Sequence, residues 1–179
     1  MAKILITLGV VLVLALATLL AYAATRPDNF RFERSITIAA SPDKVRPLIN
    51  DIARFNTWNP YNKKDPAMKS RYHGPHAGPG AAYDFEGNGD VGKGTIRIVE
   101  PTGPDTVSMQ LDMSEPMQAR NFIDFTLQPL GGGTRVTWAM HGPSPFIAKV
   151  MHLVIDMDKM LGRDFDAGLA DLKALAERT

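Results

Sequence analysis

Residues Ile4 to Ala24, ILITLGVVLVLALATLLAYAA, form an unbroken run without a single charged side chain. As a helix rising about 1.5 Å per residue, this run reaches roughly 30 Å, the thickness of a bilayer's hydrocarbon core. Such a segment is apolar all round and offers a soluble core no polar face. It is therefore set apart from the fold: residues 1–25 as a membrane anchor or signal segment, 26–31 as a linker, and 32–179 as one domain.

Two readings of the run compete. Lys3, the apolar stretch and Ala21-Tyr22-Ala23 follow the layout of a cleavable secretory signal. The stretch is longer than the ~7–15 residues of a usual signal core, and that length favours an uncleaved single-pass anchor through residues 4–24. Orientation is open to opposing arguments. Arg26, Arg31 and Arg34 downstream of the run favour a cytoplasmic domain, whereas the signal-like layout favours an exported one. The expectation taken is the exported, periplasmic or extracellular, side. The absence of cysteine is compatible with either compartment.

Charge narrows the partners. With Lys3 set aside, the remaining 19 basic residues balance 19 acidic ones. No basic run stands out, so a nucleic-acid partner, whose affinity comes largely from phosphate contacts, is not expected.

After the linker, Phe32 to Ala39 alternates as a strand does. Ser41-Pro42-Asp43 is a helix start, with Ser41 as N-cap, and Pro47 keeps that helix short. Asp51 caps a second short helix, DIARFNTW, ending before Pro60. Strands are predicted at 68–73, 81–86, 94–100, 106–113, 119–130 and 134–141, an antiparallel meander with tight turns. Ser144-Pro145 opens one long closing helix. Its apolar stripe runs Ile147, Val150, Val154, Met157, Leu161, Phe165, Leu169, Leu172 and Ala176. The expected class is α+β, with a curved antiparallel sheet around a long C-terminal helix.

That order resembles the helix-grip fold of the START-like or SRPBCC superfamily. RSITIAASPDKV (34–45), NDIARFNTWNP (50–60), GNGDVGKG (87–94), GGTRVTWAMHG (132–142) and DFDAGLADLKAL (164–175) are similar to its bacterial, membrane-anchored polyketide cyclase/dehydrase-type members. The resemblance spans nearly all of residues 30–177, and its motifs are turns, caps and packing positions. It implies a hydrophobic cavity between sheet and long helix for a lipid or another apolar small molecule. Relatives of this kind include enzymes and carriers, so the fold does not choose the function.

Gly87-x-Gly89-x-x-Gly92 fits a dinucleotide fingerprint by letter, but the β-branched GTIRIVE that follows has no helical stripe, so a hairpin turn is expected instead. His73 and His76 lie three apart in YHGPHAGPG with no clear third ligand, so no metal site is expected. No cofactor is expected either. His141, His152, Asp84 and Glu86 are the candidates for acid/base chemistry. Asp84 and Glu86 alternate with Tyr83 and Phe85, so the acids fall on one face, expected to be the solvated one, and the aromatics on the other.

Tyr83, Phe85, Met109 and Met140 from the sheet, with Val150, Val154, Met157 and Leu161 from the closing helix, are expected to line the cavity. Methionine suits walls that accommodate apolar ligands of variable shape. Trp58 and Trp138 are expected as core anchors. The leading expectation is a membrane-anchored domain binding a hydrophobic small molecule or lipid without chemical change. The alternatives are a cyclase- or dehydratase-like enzyme, and a non-catalytic partner-binding module.

Overall fold

The computed structural model describes residues 2–178. The elements, in chain order, are α1 (Ala2–Ala24), β1 (Asn29–Ile38), α2 (Pro42–Asn50), α3 (Ile52–Trp58), α4 (Pro60–Lys64), β2 (Lys69–His73), β3 (Ala82–Glu86), β4 (Lys93–Gly103), β5 (Thr106–Glu115), β6 (Ala119–Leu130), β7 (Gly133–Pro143), α5 (Phe146–Val154) and α6 (Met157–Ala176). They divide into two compact units. One comprises Arg31–Gly142 and the chain from Asp158 on; the other comprises the chain up to Phe30 and Pro143–Met157.

The larger unit is built on a seven-stranded antiparallel sheet in the order β1-β7-β6-β5-β4-β3-β2. Consecutive strands pair from β2 to β7, as the short turns between them require, and β1 closes onto β7. Alternation sorts the side chains. Val107, Met109 and Leu111 of β5 and Ile123, Phe125 and Leu127 of β6 are buried on the inner face, and the intervening residues turn outward. The 87–92 glycine run is a hairpin turn between β3 and β4, closed by Gly87 N–H donating to the Gly92 carbonyl at 2.9 Å.

Three short helices cover part of the inner face. Pro47 does not end α2, which continues to Asn50. The stop comes at Asp51, whose extended backbone leaves α2 and whose carboxylate accepts from Ala53 N and Arg54 N to start α3. Such a cap is worth about 1 kcal/mol. Helix α4, for which the sequence pattern predicts no element, begins at Pro60 after Asn59, whose side-chain oxygen accepts from Tyr61 N.

Helix α6 packs on this unit through its apolar side. Phe165, Leu169, Leu172 and Ala176 are buried, and Phe165 lies flat on Trp138 with centroids 4.4 Å apart. Trp138, Trp58, Phe55 and Phe125 complete an aromatic cluster whose ring centroids stand 5.0–6.1 Å apart. Both tryptophans are therefore core anchors. Gly168 admits the helix closely: a Cβ there would sit 2.8 Å from the Trp138 ring and 2.9 Å from Pro60. At the rim, Arg34 holds the first turn of α6 through two bonds to the Asp158 carboxylate and one to its carbonyl, each 3.0 Å.

The single closing helix expected from the sequence is two helices. Ile155 adopts an extended conformation (φ −113°, ψ 125°) and ends α5. Two β-branched residues in succession, Val154 and Ile155, weaken helix propagation at that point. The start also differs: Pro145, not Ser144, occupies the N-cap, and Ser144 N–H donates to the Asp28 carbonyl at 2.6 Å.

In the smaller unit, α1 and α5 are neighbours. Helix α1 is long and apolar enough to cross a membrane, by length and composition. Ala23 is its buried residue, and its other described residues are exposed.

Candidate functional site

The inner face of the sheet carries apolar residues in three neighbouring registers. Met140, Ile123, Met109 and Ile98 lie side by side across β7, β6, β5 and β4. Leu111, Ile96 and Tyr83 form the next row. Phe85 stands one step further on, with its centroid 5.8 Å from that of Tyr83. The four sheet residues expected to line a cavity thus share one face, and all are buried.

Tyr83 and Trp138 bring polar groups to this face. The Tyr83 hydroxyl accepts a bond from Asn59 Nδ2 at 3.1 Å. Burial pushes the Tyr83 hydroxyl pKa up, with the Tyr72 hydroxyl adding to the rise and the Asn59 bond opposing it. The indole N–H of Trp138 is buried and has no hydrogen-bond partner among the described residues. Nearby, Tyr61 is raised chiefly by burial, and also by the Asp164 carboxylate, which accepts from Lys64 at 2.6 Å.

The helical residues expected to join that wall divide. Leu161 of α6 is half-buried in the larger unit. Val150, Val154 and Met157 belong to the smaller unit. Val150 and Met157 are half-buried, but Val154 is 75% exposed, which is not the burial of a cavity wall. The sequence stripe stays in phase across the break at Ile155, although the residues on its two sides pack in different units.

The acid/base candidates of the sheet lie on the opposite face from Tyr83, Phe85 and Met140. Glu86 is exposed, with Lys93 at 3.4 Å. Asp84 accepts from the Thr95 hydroxyl at 2.8 Å and faces His73 Nε2 at 3.0 Å, with Arg71 at 3.6 Å. The Thr95 and His73 bonds, aided by the charges of His73 and Arg71, hold the Asp84 carboxyl below its ordinary value. His141 repeats the pattern: its Nε2 is 2.9 Å from Asp124 Oδ2, and Asp124 Oδ1 accepts from Ser108 at 2.8 Å.

In both trios the hydroxyl stands directly across from the aspartate, and the histidine is diagonal on the next strand. The carboxylate is central, so it engages the hydroxyl and the imidazole separately. This arrangement gives no histidine contact to activate a serine or threonine. His73 closes β2, within the strand predicted at 68–73, and His76 lies beyond it in the following loop. His152, the fourth candidate, lies on α5 with its ring edge-on to Phe30 at 6.1 Å. Among the described residues, no three His, Asp or Glu side chains converge as metal ligands would.

A cleft of about 450 Å³ opens where β2 to β5 end, bordered by Lys69, Arg71, Glu86, Lys93 and Asp112 among others. Its charges are extensively paired: besides the Lys93–Glu86 and Arg71–Asp84 contacts, Arg120 bonds Asp112 at 2.6 Å. Of the eight expected cavity residues, Phe85 alone borders it.

Sequence reasoning missed Thr95, Ser108 and Asp124, because the trios arise from strand register, which a single chain does not display. It also missed Asn59 and Tyr61. The Asn59-Pro60 cap-and-proline pair was the available signal for the helix that carries Tyr61.

A curved antiparallel sheet gripping a C-terminal helix makes this a helix-grip protein. Solved structures share the fold. Protein CV1439 from Chromobacterium violaceum is 17% identical, with a TM-score of 0.57 over 85% of this chain and 99% of its own. Protein MLL2253 from Mesorhizobium loti is 17% identical, with a TM-score of 0.58 over 84% and 98%. Ara h 8.0201 is 12% identical, with a TM-score of 0.56 over 84% and 99%. At these identities the likeness establishes the fold alone. The chain belongs to the family described as polyketide cyclase / dehydrase and lipid transport, which matches residues 29–177. None of the curated proteins compared with it matches.

Proposed function

We propose that the domain binds a hydrophobic small molecule or lipid between the inner face of its sheet and α6, with α1 holding it at a membrane. The observation that carries this reading is the inner face itself. Met109 and Met140 lie in one apolar register flanked by Tyr83 and Phe85, and flexible thioethers accommodate ligands of variable shape. The unpaired Trp138 N–H on the same face adds a donor. A buried polar group without a partner costs about 1–3 kcal/mol, so a ligand bearing one carbonyl or hydroxyl oxygen fits this site better than a pure hydrocarbon. The family description, which includes lipid transport, supports the same ligand class.

Native mass spectrometry of the full chain in detergent, followed by organic extraction, tests the reading. The expected result is a co-purifying apolar molecule with an oxygen acceptor, retained less well by Trp138→Phe, which keeps an aromatic side chain, though a smaller one, and removes the donor. A chain that returns without ligand after incubation with total lipid extract would overturn it.

A further inference from the structure

Helix α5 is amphipathic in the wrong sense for water. Lys149, its one Lys or Arg, is 8% exposed, whereas Phe146, Ile147 and Val154 are 48%, 58% and 75% exposed, followed by Ile155 at 41%. At helical spacing, Ile147 and Val154 fall on the side away from Lys149, with Val150 and Met151 between them. The buried lysine donates to Asp28 Oδ1 at 2.6 Å, and the Asp28 carbonyl accepts from Ser144 N–H. One residue four positions beyond α1 therefore clamps both the entry and the middle of α5.

The same unit shows where α1 packs. Ala23 is fully buried, Leu19 and Leu20 are 36% and 37% exposed, and Ile4, Leu5 and Ile6 are 65–69% exposed. Packing is confined to the C-terminal end of α1. That end carries Tyr22, with the Arg26 guanidinium 5.7 Å from its ring centroid. An aromatic next to a cation is the arrangement found where a spanning helix leaves the hydrocarbon for the headgroups. Helix α5 is thus tied to α1 at the level of its exit, and both helices leave large apolar side chains exposed.

We infer that the outward face of α5 is a lipid-contact surface, with Phe146, Ile147, Val154 and Ile155 seated at the headgroup–acyl boundary beside the exit of α1. The occupant is the bilayer itself. This inference rests on α1 spanning the membrane, and it adds a second, interfacial element to a chain with one span. Interfacial helices bury their apolar face about 5–10 Å into this boundary, a depth that exposed Val, Ile and Phe side chains suit.

The chain has no cysteine, so single labels are placed cleanly. Full-length Val154→Cys, Ile147→Cys, Leu12→Cys and Asp105→Cys, each carrying nitrobenzoxadiazole, are reconstituted in phosphatidylcholine–phosphatidylglycerol vesicles containing nitroxide lipids. Asp105 is exposed on the β4–β5 turn and gives the aqueous reference. Quenching of Leu12 by deep nitroxides, and of Val154 and Ile147 by shallow ones about twofold or more beyond Asp105, supports the inference. Quenched Leu12 with water-like Val154 and Ile147 overturns it and leaves the span standing. Unquenched Leu12 overturns the span and the inference together. Labels on α5 shielded before lipid is added, in proportion to protein concentration, overturn it in favour of a second copy of the chain.

Discussion

Phe165 lies parallel to Trp138, the ring planes 11° apart, and Gly168 one turn later leaves the space that the indole fills. Stacking and close approach are two halves of one contact. Phe165→Ala empties a fully buried site and is expected to cost about 3–5 kcal/mol. Gly168→Ala forces its Cβ against Trp138 and Pro60 and is expected to cost about 1–3 kcal/mol, despite alanine's better helix propensity. Urea unfolding of both variants checks this; a Gly168→Ala variant at or above parent stability would refute the close approach.

Gly162 gives the contrasting case. A Cβ there meets the guanidinium of Arg34, the far end of a flexible side chain. The head can swing aside, losing its bonds to Asp158, while the helix gains about 1 kcal/mol from alanine. The Arg34–Asp158 pair is partly solvated, with side-chain exposures of 27% and 58%, so its loss is small. Gly162→Ala is therefore expected to stay within about 1 kcal/mol of the parent in the same denaturant series.

Tyr83 tests the one polar bond inside the apolar rows. Tyr83→Phe removes the acceptor of Asn59 Nδ2 without changing the ring, and is expected to cost about 1–2 kcal/mol. If lipid retention also falls, the hydroxyl belongs to the binding face as well as to the fold. Thermal unfolding measured with and without extracted lipid separates the two effects.

Asp84 sets a pH dependence. Its carboxyl is held below the ordinary value by Thr95 first and His73 next. The stabilisation is therefore present above the unfolded value of about 3.9 and is lost as pH falls through the lower folded value. Asp84→Asn is expected to lower stability at pH 7 by under about 1 kcal/mol, the usual worth of so exposed a group. It is also expected to flatten the acid limb of the stability curve below about pH 4. Identical acid limbs for parent and variant would show that the trio adds nothing to folding.

The strands were legible because their alternation and turn residues act locally. Ala81–Glu86 and Ala119–Leu130 in the sequence fall within a residue of β3 and β6, and Asp51 announced its own cap. Two things were hidden. The break at Ile155 keeps the three-and-four stripe in phase, so period counting passes over it. The trios around Asp84 and Asp124 depend on which residues stand opposite across three strands, a matter of tertiary register. Of the candidate site, the shared face of Tyr83, Phe85, Met109 and Met140 followed from alternation, whereas the bare surface at Val154 did not.

The smaller unit draws on two stretches of chain separated by the whole of residues 31–142. A ribosome emits α1 first and its neighbour α5 only after the last strand, so α1 waits through most of synthesis for its packing partner. Direct closure of so long a loop carries an entropic toll, one that grows only slowly with loop length. Pairing of β1 with β7, where the Ser35 and Thr137 hydroxyls meet at 2.8 Å, removes most of that toll by drawing the two crossing points together. With β1 and β7 paired, the Asp28–Lys149 clamp closes two short connections instead of one long loop.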